Sequence, residues 1–150
     1  MIPLCRSRFA ARLGSDIGLD MARIEHIALW VDDLDGVCAF YADALGAQVG
    51  PRYANPAKGF ESRFLSFDSG ARIEVMTTRR LSPTRLSAGT ERMGLTHFAV
   101  SLGSESAVRE LTERLKARGV TIIGEPRRTG DGYYESVILD PEGNRVELTV

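Results

Sequence analysis

Two histidines and two glutamates recur at matching places along this chain. His26 lies in the segment IEHIALWV and His97 in LTHFAVSL, and in both segments apolar residues alternate after the histidine. Glu74 lies in FDSGARIEVM, and Glu147 holds the corresponding place in LDPEGNRVEL. The histidines are 71 residues apart and the glutamates 73, so two independent pairs give nearly the same period. The chain therefore contains two copies of one unit, each with one histidine and one glutamate.

Imidazole nitrogens and carboxylate oxygens together suit a divalent transition metal. A single strand histidine is more often a hydrogen-bonded core residue, and a single strand glutamate is more often solvated. Four such side chains at repeated positions instead predict a metal site, provided that they share a surface. Without a metal, two carboxylates on one surface would repel each other unless one took up a proton.

Side-chain alternation predicts which surface these four residues occupy. In each of their strands the neighbouring positions form an apolar row, such as Ile27, Leu29 and Val31 around His26. Successive side chains of a strand point to opposite faces. If every apolar row packs on a helix, all four polar residues lie on the other, concave face of the sheet.

The elements that position these residues follow one order in both copies. Asp32 and Asp33 offer an N-cap for a helix that ends at Gly46, and Ser104 caps a second helix that ends at Gly119. Strands are predicted at about 24–31, 47–53, 61–68 and 71–78, and again at about 95–102, 120–124, 133–139 and 144–149. The prediction is an α+β fold of two βαβββ modules, residues 23–78 and 95–150, joined by a polar linker at 79–94.

Length and composition set the limits of this interpretation. The chain has 150 residues, 43% of them apolar, which suits one domain with a real core. A net charge of −1 argues against a nucleic-acid or anionic membrane partner, and no apolar run could span a bilayer. Two cysteines are too few for a disulfide scaffold and favour the cytoplasm, with Cys38 a buried thiol. Residues 1–20 are expected to be a loose tail or the product of an upstream start codon, which leaves residues 21–150 as the domain.

The paired pattern resembles the vicinal oxygen chelate superfamily, which includes glyoxalase I, methylmalonyl-CoA epimerase, extradiol dioxygenases and bleomycin resistance proteins. The resemblance covers residues 23–150 and rests on IEHIALWVDDLD with FYADALG after it, FDSGARIEVM, LTHFAVSL and GDGYYESVILDPEGNRVELT. It implies an eight-stranded open cup that holds one divalent metal ion per site, zinc or nickel before manganese, cobalt or iron. The implied ligands are His26, Glu74, His97 and Glu147, a set similar to that of glyoxalase I (lactoylglutathione lyase).

The resemblance also implies a reaction. It predicts a metal-dependent lyase or isomerase that moves a proton beside a metal-chelated carbonyl of a small oxygenated substrate. Glu147 is then the leading proton-transfer residue, and Glu74 is its counterpart in the repeat. Trp30 stands where glyoxalase I usually has an arginine for a glutathione carboxylate, which argues against a glutathione adduct as substrate.

Three further residues are candidates for binding the substrate. Arg72 shares the face of Glu74 and could hold an anionic group, or it could pair with a neighbouring glutamate. Trp30 could stack on a substrate or simply pack. Tyr133 and Tyr134 must point to opposite faces; the pattern does not decide between them, and Tyr134 is taken as the candidate.

Other activities of the same superfamily remain open at this stage. An Fe(II) dioxygenase could use His26, His97 and Glu147 as a triad, an epimerase could use the same fold, and a drug-binding dimer would carry out no chemistry. A homodimer is expected because small open sheets tend to have their edges paired or covered. The sequence leaves open whether each cup is built within one chain or from two.

Overall fold

A computed structural model describes residues 22–82, 91 and 93–150, so the predicted tail at 1–20 lies outside the described residues. The described residues form nine strands and two helices. Module 1 contains β1 (His26–Trp30), α1 (Leu34–Leu45), β2 (Gln48–Val49), β3 (Tyr53–Asn55), β4 (Phe60–Ser66) and β5 (Arg72–Thr78). Module 2 contains β6 (Phe98–Ser101), α2 (Glu105–Ala117), β7 (Ile122–Arg128), β8 (Tyr134–Leu139) and β9 (Arg145–Thr149). Neither of these helices is long and apolar enough to cross a bilayer.

Both helices begin and end close to the positions that their capping residues predict. The Asp33 side chain accepts a hydrogen bond from the Gly36 N–H at 2.9 Å, and Ser104 Oγ accepts one from the Ala107 N–H at 3.2 Å. Each cap satisfies a backbone donor that has no partner within the first turn. Gly46 ends α1 in the left-handed conformation with φ 71°, which a residue without Cβ adopts at little cost.

The strands form two sheets, one in each module. The order is β1-β5-β4-β2, with β3 also paired to β4, in module 1 and β6-β9-β8-β7 in module 2. The first and last strands of each module are parallel neighbours, and the other pairs are antiparallel. The α+β class and the paired modules are therefore confirmed, but the strands are divided between two sheets.

Most strands differ from their predicted bounds by one to three residues, as β6 does by starting at Phe98, and two predicted strands differ more. The strand predicted at 47–53 is split into β2 and β3, with Gly50 and Pro51 between them. Proline has no N–H to donate to a ladder, and its ring fixes φ. The strand predicted at 120–124 instead extends to Arg128, with register shifts on either side of Gly124.

A buried cluster runs through both modules and includes apolar residues of both sheets and both helices. Cys38 lies in this cluster as a free buried thiol, as predicted. Tyr41 of α1 is fully buried, and its hydroxyl donates to Asp140 Oδ2 at 2.8 Å across the module boundary. Glu142 accepts from the backbone N–H groups of Asp32 and Asp33 at 3.2 and 3.1 Å. Hydrogen bonds as well as apolar packing therefore fix one module against the other.

Candidate metal centre

His26 and Glu74 meet on the open face of the first sheet, the side opposite its helix. Parallel pairing of β1 with β5 sets His26 beside Arg72 and Ala28 beside Glu74. Ile73 and Val75, on either side of Glu74, are buried, so alternation turns the carboxylate away from the core. His26 Nε2 lies 3.9 Å from Glu74 Oε2. Module 1 thus presents one imidazole nitrogen and one carboxylate together.

The other nitrogen of His26 is held by Glu25, a residue that the sequence analysis missed. His26 Nδ1 lies 2.5 Å from Glu25 Oε2, and Arg72 Nε donates to Glu25 Oε1 at 2.9 Å. The hydrogen bond with His26, followed by that with Arg72, lowers the pKa of the exposed Glu25 carboxyl. When neutral His26 donates from Nδ1, its Nε2 keeps the lone pair that a metal needs. Side-chain alternation predicts that neighbouring residues point to opposite faces, so it does not predict a contact between Glu25 and His26.

His97 and Glu147 form the corresponding pair in module 2. Parallel pairing of β6 with β9 sets Ala99 beside Glu147, as Ala28 lies beside Glu74 in module 1. His97 Nε2 is 3.2 Å from Glu147 Oε2, and 14% of the Glu147 side chain is exposed. The histidine and the glutamate that recur in the sequence are therefore neighbours in the structure of each module.

A second carboxylate adjoins Glu147, and the sequence analysis missed it as well. Glu135 of β8 is buried on the same face, and Arg127 of β7 donates to its Oε1 at 2.8 Å. Burial first, and then the adjacent Glu135 carboxylate, raise the pKa of Glu147, while His97 and Arg127 oppose the rise. Ser62 holds the corresponding place in module 1, opposite Met76 as Glu135 is opposite Thr149. Since Glu135 has no acidic counterpart, the repeat could not reveal it.

The two pairs do not come together within the described part of one chain. No three of its His, Cys, Asp and Glu side chains lie close enough to hold a metal ion. Each pair supplies one nitrogen and one oxygen donor, a set that suits zinc, nickel, manganese or iron, but closed sites of such metals take at least four ligands. Each module therefore fits half of a metal centre; we call the pair His26–Glu74 half-site 1 and the pair His97–Glu147 half-site 2.

The glyoxalase/bleomycin resistance protein/dioxygenase superfamily model matches residues 23–148. The chain belongs to this superfamily. An uncharacterised protein of Pseudomonas aeruginosa is 30% identical over 128 residues, which cover 84% of this chain and 86% of that protein. Lactoylglutathione lyase from Agrobacterium tumefaciens superposes with a TM-score of 0.61 at 25% identity, over 85% of this chain and 92% of that one. Glyoxalase I from Zea mays superposes with a TM-score of 0.67 at 24% identity; this chain spans only 44% of its length.

The three predicted substrate residues of this superfamily member have different surroundings. Arg72 is an ion-pair partner of Glu25, and its guanidinium lies 4.1 Å from the centre of the Phe64 ring. These contacts favour the interpretation of Arg72 as a partner of a neighbouring glutamate over that of a substrate-binding residue. Trp30 lies on the open face with His26, and half of it is exposed.

Tyr134 does not lie on the face where it was expected. Glu135 and Val137 share the face of Glu147, so alternation turns Tyr134 towards α2. Arg109 of that helix donates to its hydroxyl at 3.4 Å. The expectation that Tyr134 lines the metal face is therefore corrected; Tyr133, the other tyrosine of the pair, precedes β8 and is 57% exposed.

Proposed function

We propose that this protein is a metal-dependent lyase or isomerase of glyoxalase I type, which moves a proton beside a chelated carbonyl of a small oxygenated substrate. The observation that carries the proposal is the repeated His–Glu pair on the open face of both sheets. The similarity to lactoylglutathione lyase from Agrobacterium tumefaciens supports the same class of reaction.

A complete centre is proposed to form between two copies of the chain. In an isologous dimer the same contact is made twice, so half-site 1 of each copy would face half-site 2 of the other. Two features support this arrangement. The strands β1, which begins with His26, and β6, which directly follows His97, lie at the edges of their sheets, where backbone groups need a partner or cover. Ile24 is 70% exposed and Leu95 is 61% exposed, each two residues before its histidine. Apolar side chains at repeated places beside both half-sites would be covered together when two copies meet.

The residues around half-site 2 suit proton transfer. A divalent ion held by the four ligands would polarise the substrate carbonyl and make the neighbouring C–H more acidic. Glu147 is proposed to take that proton and return it. The raised pKa of Glu147 lies closer to neutral pH than that of an ordinary glutamate, which suits a general base. The ion pair of Arg127 with Glu135 holds the second carboxylate in place beside it.

The reaction is tested by solvent deuterium exchange at the carbon next to the carbonyl, first with 2-oxoaldehyde thiol adducts and then with CoA thioesters. We expect Glu147→Gln to lose about two to four orders of magnitude in exchange rate while it retains the fold, because glutamine is nearly isosteric. Glu74→Gln is the matched control and should lose less. Undiminished exchange in Glu147→Gln would remove that residue from the role of base. Absence of exchange with every ligand that binds the metal would instead favour a dioxygenase or a drug-binding protein.

The shared centre is tested by mixing two inactive variants. His26→Ala with Glu74→Ala destroys half-site 1, and His97→Ala with Glu147→Ala destroys half-site 2. In a mixed dimer with shared centres, one centre carries both defects and the other carries none. After random exchange of subunits about a quarter of the centres should be intact, and metal content and activity should return to about that level. A mixture as empty and inactive as its components, although mass spectrometry shows mixed dimers, would contradict the shared centre.

Metal analysis after anaerobic purification should give about one divalent ion per chain. Iron as the sole active metal would favour the dioxygenase over the lyase.

A further inference from the structure

Three aromatic rings meet at one end of the first sheet. The ring of Phe60 lies between those of Trp30 and Tyr53, with centroids 6.1 Å away in both cases and interplanar angles of 87° and 60°. Trp30 is 51% exposed and Tyr53 is 57% exposed. In an edge-to-face pair the edge of one ring covers one face of the other, so an exposed ring keeps at least one face for contact with a further ring. We call Trp30, Tyr53 and Phe60 the aromatic cluster.

Two neighbouring strands lead from half-site 1 to this cluster. Trp30 follows His26 by four positions on the same face of β1, with only the small Ala28 between them on that face. On β5, Thr78 follows Glu74 by four positions and pairs with Phe60. Four residues of extended strand span about 13 Å. A bound molecule that reaches half-site 1 at one end would therefore meet the cluster at the other.

A cavity of about 400 Å³ adjoins the cluster, and Phe60 forms part of its wall. The rest of the wall is mainly polar: Asn55, Thr78 and Arg79 offer hydrogen-bond donors and acceptors, and Asp32 and Glu61 add two carboxylates. Its volume lies within the range of small-molecule sites; Phe60 supplies its aromatic surface, and the other side chains supply groups that could fix orientation.

We propose that the aromatic cluster forms a subsite for a flat aromatic group at the far end of the substrate, with the polar cavity beside it. The proposal rests on the proposed function, because the substrate is taken to be held at half-site 1. The substrate class is then a carbonyl compound in which an aromatic ring lies about 13 Å from the chelating oxygens.

The chain contains a single tryptophan, so its fluorescence reports on this subsite directly. The experiment uses metal-free full-length protein, and the probe is 3-phenylpropionate, with 3-cyclohexylpropionate as the non-aromatic control of similar size. We expect the aromatic acid to change Trp30 emission saturably, to protect Trp30 from acrylamide, and to bind about three- to tenfold more tightly than the cyclohexyl acid. Phe60→Leu should weaken binding of the aromatic acid by a similar factor, whereas Tyr133→Leu, which removes an exposed ring of module 2, should leave its affinity unchanged.

Several results would overturn the subsite. Trp30 emission that does not respond, or that responds equally to both acids, would do so. So would a Trp30 that is shielded from acrylamide without ligand, because the cluster would then be covered by a second copy of the chain. Since no metal and no turnover are involved, failure of the lyase assay leaves this measurement intact, and failure here leaves the lyase assay intact.

Discussion

Tyr41→Phe should weaken the connection between the two modules by a defined amount. The Tyr41 side chain is fully buried, and its hydroxyl donates to Asp140 Oδ2 at 2.8 Å. Its ring also lies 6.1 Å from that of Phe98 in module 2. Phenylalanine keeps the ring and removes only the hydroxyl, so the substitution isolates one buried hydrogen bond between residues 99 positions apart.

The size of the effect follows from the remaining partners of Asp140. Its carboxylate also accepts from the backbone N–H groups of Glu142 and Asn144 at 2.9 and 2.8 Å and from Asn144 Nδ2 at 2.9 Å. The substitution therefore does not leave a bare buried charge. A hydrogen bond to a charged group contributes about 1.5–3 kcal/mol. Taking about 2 kcal/mol, the Tm should fall by roughly 4–8 °C for a domain of this size.

The assay is thermal and urea unfolding of the metal-free protein at neutral pH, with Tyr53→Phe as the control at an exposed tyrosine. That control should stay within about 0.5 kcal/mol of the parent protein. A double-mutant cycle with Asp140→Asn should give a coupling energy of about 1 kcal/mol or more. Burial, followed by the charge of Asp140, raises the pKa of Tyr41, so the hydroxyl stays protonated in mildly alkaline buffer and the loss should persist there. An unchanged unfolding free energy in Tyr41→Phe, or strictly additive effects, would refute this account of the module boundary.

Three further substitutions have defined outcomes. Burial and Glu135 raise the pKa of Glu147 above its ordinary 4.5, so in the metal-free protein this carboxyl contributes stability that is complete below that value and lost as pH rises through its folded pKa. Glu147→Gln should therefore raise the Tm of metal-free protein at pH 7 but not at pH 4, and a Tm that is unchanged or lower at pH 7 would contradict the burial of a poorly compensated charge. Glu25→Gln should weaken metal binding about 10- to 100-fold in chelator competition, as loss of a carboxylate behind a histidine ligand does; unchanged affinity would show that Glu25 does not orient His26. Gly46→Ala should cost about 1–2 kcal/mol in urea unfolding because φ is 71° there; an added Cβ would meet no atom within 4 Å, so the cost comes from the backbone conformation alone. Gly130→Ala, outside the left-handed region, should be nearly neutral.

Local signals were sufficient for the helices and for the orientation of the strands. A helix start depends on a cap and a helix stop depends on a glycine, and each signal lies within a residue or two of the helix end that it marks. The roles of Asp33, Gly46 and Ser104 could therefore be predicted directly. Alternation needs only neighbouring residues, and it placed His26 and Glu74 on the face opposite the core. Strand order is different, because the parallel pairing of β1 with β5 joins segments more than 40 residues apart. No local pattern encodes that pairing.

The repeat identified the two half-sites, and it also limited what could be found around them. Residues that recur in both modules stand out against the rest of the chain, as the histidines and the glutamates do. Glu135 occurs only in module 2, and Ser62 holds the corresponding place in module 1. Glu25 occurs only in module 1, and Thr96 holds the corresponding place in module 2. A search for repetition passes over such residues, and only the packing of β8 against β9 and the contact to His26 Nδ1 show what they touch.

These differences between the modules give the two halves of the proposed centre different parts to play. In module 1 the imidazole is the constrained group, because Glu25 occupies its second nitrogen and Arg72 in turn holds Glu25. In module 2 the carboxylate is the perturbed group, because burial and Glu135 raise the pKa of Glu147. A fixed imidazole suits a ligand that stays in place, and a carboxylate with raised proton affinity suits a group that gives and takes a proton. The histidine and glutamate donors occur in both modules, whereas Glu25 and Glu135 each occur in one. It is this difference that favours Glu147, rather than its counterpart Glu74, as the proposed base.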